Sequence, residues 1–249
     1  MSDLDRNYSR AIPADRADMS VDAGLRSFML GVYNKLAGGL VLSGALAWVT
    51  AYVDPVRDML FKTSAATGGF AGYTIAGYIV VFAPLAVILF GMGAARSAKG
   101  ASTLYWTLVA LIGASLGTVF LVYNLGSIST AFLSTAVAFG SLSLWGYTTK
   151  KDISGWGSFL MIGMVGIIIA SLANMFFKSP AMYFVINAVV VLVFAGLTAY
   201  DTQRLKLTYY GLRGDVEAIG AATSMGALSL YLNFINMFQA LLALFGNRN

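Results

Sequence analysis

Long apolar stretches joined by short polar segments constrain the fold of this chain more than any other feature. A helix of about 20 apolar residues crosses a bilayer, and seven such stretches are present: 28–53, 73–95, 101–123, 128–148, 155–177, 181–202 and 224–245. Charged residues form 11% of the chain, against roughly 25% in soluble domains. The sequence therefore predicts an all-α membrane protein, a bundle of seven transmembrane helices embedded in the lipid bilayer.

The first 26 residues differ from everything that follows. They contain five Asp and four Arg residues and no apolar core of the kind that a cleaved signal peptide carries. Residues 1–26 are therefore predicted to be a polar, mobile tail whose last part forms an amphipathic helix on the membrane surface. Residues 27–249 are predicted to form one seven-helix membrane domain.

The basic residues predict the orientation of the chain. With a cytoplasmic N-terminus, twelve of the 16 Lys and Arg residues lie on the cytoplasmic side and four outside. This bias follows the positive-inside rule, so the N-terminus is predicted inside and the C-terminus outside. Lys35, within the first span, is expected to snorkel towards the interface. The net charge of +5 then reflects topology, and no nucleic-acid partner is expected.

The chain contains no histidine and no cysteine. Disulfides, thiolate chemistry and histidine-based acid–base catalysis are therefore excluded. Residues 113–117 match the G-x-S-x-G nucleophile pattern, but they lie inside a predicted span instead of on a strand-to-helix turn. Ser115 is interpreted as a packing residue, and the chain is predicted not to be an enzyme.

One acidic residue, Asp201, lies at the predicted cytoplasmic end of the sixth span, and the other ten lie in the tail or in loops. The apolar layer disfavours a charged carboxylate, and so does the dipole at a helix C-terminus. Two interpretations remain open. Asp201 is either a pH-sensing group or an interfacial residue that pairs with Arg204 and has no further role.

The seventh span contains two amides, Asn233 and Asn236, which share a helix face because they are three residues apart. Amides at membrane depth need hydrogen-bond partners and usually face the interior of a bundle. Asn233 lies on the same predicted side of the membrane as Asp201. The sequence therefore predicts a polar site between the sixth and seventh spans.

Several motifs occur in an order that resembles a known family. Residues 131–140 and 146–152 resemble its fourth helix and the following loop, residues 200–203 the end of its sixth helix, and residues 227–236 its seventh. From about residue 28 to the end, the chain resembles bacterial members of the Bax inhibitor-1 family, the transmembrane Bax-inhibitor-motif proteins. The resemblance implies a seven-helix bundle with the last helix at its centre, in the bacterial plasma (inner) membrane.

The resemblance also implies a pH-sensitive calcium leak. In the family pattern, two aspartates from the last two spans share a proton at the gate, and a basic residue after the second span latches the closed state. These roles fall on Asp201, Asn233 and Arg96, with Asn236 and Arg204 as supporting polar residues. Calcium is the implied transported ion, Asp201 is the implied weak calcium site, and no cofactor is expected.

The sequence departs from that pattern at Asn233, where the family has an aspartate. Two close carboxylates titrate as a pair, and an amide removes their mutual repulsion. One negative charge fewer also weakens a calcium site. We therefore expect a site of similar shape whose flux responds at lower pH and which binds calcium more weakly.

A second function from a different class remains open. Some family members resemble modulators of a membrane-bound quality-control protease, so the chain is alternatively a non-channel interaction protein of that protease or of a stress response. The polar tail would suit a docking role. Deletion of residues 1–20 would separate the two functions, because only partner binding should then be lost.

Overall fold

A computed structural model describes residues 22–64, 69–212 and 214–248. The predicted tail and its docking role lie almost wholly outside these residues. The first helix begins at Ala23, five residues before the predicted span. Asp22 caps it, because the carboxylate accepts hydrogen bonds from the backbone N–H groups of Gly24 and Leu25 at 2.9 and 3.0 Å.

Helices account for most of the described residues, and two short strands accompany them. In chain order the elements are α1 (Ala23–Tyr52), α2 (Asp54–Leu60), β1 (Phe61–Thr63), β2 (Phe70–Tyr73), α3 (Ile75–Gly91), α4 (Ala98–Ser115), α5 (Gly117–Val122), α6 (Leu125–Thr148), α7 (Trp156–Phe177), α8 (Pro180–Gly211) and α9 (Val216–Phe245). Six helical segments in the described ranges are long and apolar enough to cross a membrane, with α4 and α5 counted as one. The apolar helix α3 has 17 residues and is shorter than these six. The nearly all-helical character of the predicted membrane bundle is confirmed, and the predicted count of seven spanning helices is not.

The segment between α1 and α3 holds structure that the sequence did not predict. Asp54 and Pro55 begin the short helix α2 instead of a loop, which fits the preference of proline for the first helical turn. The strands β1 and β2 then pair in antiparallel fashion. Phe61, Phe70 and Tyr73 stabilise this hairpin through edge-to-face ring contacts, with centroids 5.0–6.2 Å apart.

The last helix, α9, lies at the centre of the bundle, as the resemblance implied. It packs against α1, α4, α6 and α8. Within its most apolar stretch, 56% of the residues are buried, against 11% for the peripheral helix α7. The central position of α9 means that a change in its packing reaches four other helices directly.

The polar segment between the predicted spans 181–202 and 224–245, residues 203–223, is mostly helical and not a loop. The helix α8 continues to Gly211 and α9 begins at Val216. Gln203 and Lys206 are buried because they bind backbone carbonyls near the end of α6, so tertiary contacts stabilise a stretch that its polarity marks as a loop. Asp201 therefore lies ten residues before the end of α8. The expected effect of the helix dipole was wrong, since it fades within the last turn.

Hydrogen bonds identify the two ends of the bundle. At one end, Glu217 at the start of α9 accepts a hydrogen bond from the Ala98 N–H at the start of α4, at 2.8 Å. At the other end, the Asn124 N–H, just before α6, donates to the carbonyl of Asn247 after α9, at 3.3 Å. The seam between α8 and α9 runs from the first of these ends to the second.

Candidate functional site

The packing of α8 against α9 brings Asp201 and Asn233 together. The Asn233 Nδ2 donates a hydrogen bond to Asp201 Oδ2 at 2.8 Å. Side chains on a helix tilt towards its N-terminus, so these two approach each other from antiparallel helices. The Asp201 side chain is 12% exposed and Asn233 is 4% exposed. A carboxylate thus lies largely out of solvent, in direct contact with the central helix.

Arg204 is the second polar partner of Asp201, and it is a weak one. Its Nη1 lies 3.9 Å from Asp201 Oδ1, and its side chain is 63% exposed. Ion pairs of such length and exposure contribute little, about 0–1 kcal/mol. The predicted pairing of Asp201 with Arg204 is thus present but long, and the shorter contact of Asp201 is the one to Asn233.

A crevice of about 130 Å³ adjoins Asp201 and gives the carboxylate a route to one end of the bundle. We call it the Asp201 crevice; α8 and α9 form its walls, and its lining residues are Asp201, Arg204, Leu205, Thr208, Ala222, Met225, Gly226 and Ser229. One water needs about 10–15 Å³ of such space, so the crevice has room for several. The lining residues extend from Asp201 to Thr208 and Ala222, towards the end of the bundle where α9 begins.

The structure does not bring the other two predicted site residues to Asp201. Arg96 ends a 3-10 turn, Met92–Arg96, that follows α3. Among the described ion pairs, Asp201 pairs with Arg204 and not with Arg96. The Asn236 Nδ2 donates to the Leu232 carbonyl within α9 at 2.8 Å. Of the two amides predicted on one face of α9, only Asn233 therefore contacts the carboxylate.

A second polar contact of α9 was not predicted. The Nζ of Lys35 donates hydrogen bonds to Ser102 Oγ in α4 at 2.9 Å and to Ser224 Oγ in α9 at 2.7 Å. It also lies 6.0 Å from the centroid of the Tyr105 ring. Two of the three donors of the part-buried Lys35 ammonium therefore bind hydroxyls on neighbouring helices, a contact that the expectation of snorkelling did not include.

On its other face, α8 is tied to the rest of the bundle by hydroxyls. Tyr33 OH hydrogen-bonds with Ser143 Oγ in α6, which in turn lies 3.0 Å from Thr202 Oγ1. Thr202 also donates to the carbonyl of Thr198 at 2.8 Å. This chain joins α1, α6 and α8 directly behind Asp201, so it fixes the position of α8 while Asp201 faces α9.

Comparison with known proteins identifies the family of the chain. The family described as "Inhibitor of apoptosis-promoting Bax1" matches residues 25–249. The chain belongs to the Bax inhibitor-1 family. A protein of Caulobacter vibrioides is 58% identical over 248 residues, covering 99% of this chain and 98% of the relative. The inner membrane protein YbhL of Escherichia coli K12 is 39% identical over 227 residues, covering 91% and 94%. A Rickettsia prowazekii protein is 38% identical over 244 residues, covering 97% and 98%.

In this member of the Bax inhibitor-1 family, the donor set at the site is poor in charge. The described ranges contain no group of three or more His, Cys, Asp or Glu side chains that would surround a metal ion. Stable calcium sites use six to eight oxygens with several carboxylates. Asp201 supplies one carboxylate beside a neutral amide, which is fewer charged oxygens than a stable calcium site uses.

Proposed function

We propose that this Bax inhibitor-1 protein is a pH-modulated cation leak of the bacterial inner membrane, that calcium is the transported ion, and that Asp201 controls the leak. The observation that supports this most directly is the 2.8 Å hydrogen bond from Asn233 to Asp201. It joins a largely buried carboxylate to the central helix, so the protonation of one group affects the packing of the whole bundle.

The chemistry of this contact gives the mechanism. While Asp201 is ionised, the amide of Asn233 donates to a charged acceptor, and such hydrogen bonds are about twice as strong as neutral ones. A bound proton removes the charge, and the carboxyl then accepts from the amide only as a neutral and weaker acceptor. The contact between α8 and α9 weakens, the seam opens, and cations pass. Acidic pH therefore increases the leak.

The proposal includes a topology of seven crossings, in which α3 and the following 3-10 turn together form the second. The chain enters α3 beside Leu60, whose carbonyl accepts from the Thr74 N–H at 3.1 Å. It leaves at Arg96, directly before α4. With the N-terminus in the cytoplasm, the C-terminus lies outside and the Asp201 crevice opens to the cytoplasm, in keeping with the distribution of Lys and Arg.

The test is calcium flux into liposomes that contain wild type or Asp201→Asn, measured from pH 5 to pH 8. Wild-type flux should rise as the pH falls. Flux through Asp201→Asn should be high and independent of pH, because the amide imitates the protonated, uncharged group. If wild-type flux is no faster than that of empty liposomes, the proposal of a leak is wrong. If Asp201→Asn shows the wild-type pH response, Asp201 does not control the leak.

Asp152 offers a matched control for this experiment. It is a carboxylate in the α6–α7 loop, fully exposed, and its Oδ1 accepts a hydrogen bond from the Ser154 N–H at 2.8 Å. That hydrogen bond lowers the pKa of the Asp152 carboxyl, so the group stays ionised over the range tested. The Asp152→Asn variant should therefore have the pH profile of wild type.

A further inference from the structure

Polar residues follow the α8–α9 seam well beyond Asp201. On α9, Ser229, Asn233, Asn236 and Gln239 recur at intervals of three or four residues. Residues at this spacing lie on one side of a helix. On α8, Asn187 precedes Asp201 by fourteen residues, which places the two on nearly the same face, about 21 Å apart along the axis. The seam therefore has polar groups towards both of its ends.

A second cleft lies at the end of the seam opposite to the Asp201 crevice. We call it the far cleft; it has a volume of about 240 Å³ between α5, α8 and α9, and it is lined by Thr118, Val119, Val122, Tyr123, Tyr183, Asn187, Gln239, Leu242 and Ala243. Because α8 contributes the same face to both cavities, the Asp201 crevice and the far cleft are two recesses along one seam.

Gln239 indicates what fills the far cleft. It is exposed although it lies within the apolar α9, and no hydrogen bond of its amide is found among the described residues. An amide at membrane depth is tolerated where it meets a protein partner or a water-filled cavity. Asn187 donates its Nδ2 to the Tyr183 carbonyl at 2.8 Å, which leaves its own carbonyl oxygen available. Both amides therefore have polar atoms without a protein partner among the described residues, and water in the far cleft would supply one.

We propose that the far cleft is the second, water-filled mouth of the cation path that Asp201 controls, and that it is a transit site for a hydrated cation. The ligands are the amide oxygens of Asn187 and Gln239 and the hydroxyl of Thr118. Neutral oxygens hold a cation weakly enough to release it, as conduction requires. This inference rests on the proposed leak and adds the opposite end of its path.

Arg248 explains why such a mouth passes ions slowly. Its guanidinium carbon lies 5.9 Å from the centroid of the Tyr123 ring, one of the residues that line the far cleft. A fixed positive charge at a pore entrance lowers the local concentration of cations. The mouth therefore suits a leak and not a fast channel.

The first test is access to water, which does not depend on flux. Because the chain has no cysteine, single cysteines can be introduced into the wild-type background. The variants Gln239→Cys and Asn187→Cys should react with a charged, membrane-impermeant thiol reagent added from the side of the C-terminus. Ser229→Cys, in the Asp201 crevice, should react only from the opposite side.

Two control positions measure the background rate of the thiol reaction. Ala240→Cys lies next to Gln239 in a position that is 2% exposed, and Ile169→Cys lies midway along α7 in a position that is 62% exposed towards lipid. Neither should react. If Gln239→Cys reacts no faster than Ile169→Cys, the far cleft is not a water-filled mouth and the inference is overturned.

The second test is flux in liposomes. Gln239→Leu should lower calcium flux about two- to tenfold at every pH, the effect of one lost polar contact, and leave the pH of half-maximal flux unchanged. Gln239→Asn keeps the amide and should retain most of the flux. Arg248→Gln should raise flux about two- to fivefold, because a nearby positive charge is removed.

The two proposals fail in different ways. Wild-type liposomes without flux overturn the leak, while labelling still decides whether the far cleft holds water. Wild-type flux together with unlabelled Gln239→Cys, or with an unchanged Gln239→Leu, overturns the far cleft as a mouth and leaves the control by Asp201 standing.

Discussion

Two faces of the central helix α9 are held by oppositely charged side chains, and the two contacts differ in their chemistry. On one face, Asn233 donates to the carboxylate of Asp201. On the other, Ser224 accepts from the ammonium of Lys35. Ser224 and Asn233 are nine residues apart, or two and a half turns, so their side chains leave opposite sides of the helix.

The partner atoms determine which of these contacts responds to a proton. The Nδ2 of Asn233 can only donate, so the strength of its contact depends on the charge of its acceptor, Asp201. A serine hydroxyl both donates and accepts, so Ser102 and Ser224 can bind the amine of Lys35 in either protonation state. The Asp201 contact therefore changes in strength when a proton binds, whereas the Lys35 contact persists in either protonation state.

The largest effect should come from restoring a second acid with Asn233→Asp. Two carboxylates in contact repel each other and titrate as a pair, so the first proton binds at a higher pH. We expect the pH of half-maximal flux to rise by about one unit or more. Asn236→Asp, one turn further along α9, should cause a smaller shift. Superimposable flux curves for wild type and Asn233→Asp would remove Asn233 from the mechanism.

A smaller effect is expected from Lys35→Met, which removes the ammonium and keeps a long apolar side chain. Ser224 also donates to the carbonyl of Gly220 at 3.2 Å, so it retains a partner. The melting temperature in detergent should change by less than about 8 °C, the shift that about 1–2 kcal/mol produces in a chain of this size. The pH profile of the flux should match that of wild type.

One outcome would contradict the prediction for Lys35→Met, and Lys35→Arg provides its control. If calcium flux through Lys35→Met no longer depends on pH, both faces of α9 take part in the pH response. The proposed difference between the two contacts is then wrong. Lys35→Arg keeps the charge and should preserve both the melting temperature and the flux more closely than Lys35→Met does.

The smallest effect should come from Arg204→Gln. The guanidinium is largely exposed and 3.9 Å from the carboxylate, so its attraction is screened by solvent. Its loss should raise the pH of half-maximal flux by less than about half a unit. A shift as large as that of Asn233→Asp would mean that Arg204, and not Asn233, is the principal partner of Asp201.

The helical bundle could be predicted because lipid forces a buried backbone to satisfy its own hydrogen bonds. The proximity of Asp201 and Asn233 followed from their depth in two consecutive spans. The continuation of α8 to Gly211 did not follow, because its polar residues are held by partners that come from the distant end of α6. Hydropathy measures single segments and contains no information on such contacts.

The same limit applies to the contacts of Lys35 and to the far cleft. Lys35 meets Ser102 and Ser224, which come from two other helices, and no local pattern in the sequence links the three. Gln239 was not singled out, since an isolated amide in an apolar run is usually a packing residue. Its significance depends on the cleft around it, which only the assembled helices create.

The buried Gln203 has a consequence for the survival of the protein in the cell. Its amide donates to the Lys151 carbonyl at 2.8 Å, and its oxygen accepts from the Ile153 N–H at 3.0 Å. A protease that cleaves after lysine must draw several residues of backbone into an extended shape, which requires local unfolding of the loop. Gln203 opposes that unfolding, because both of its hydrogen bonds must break before the loop beside Lys150 and Lys151 can extend.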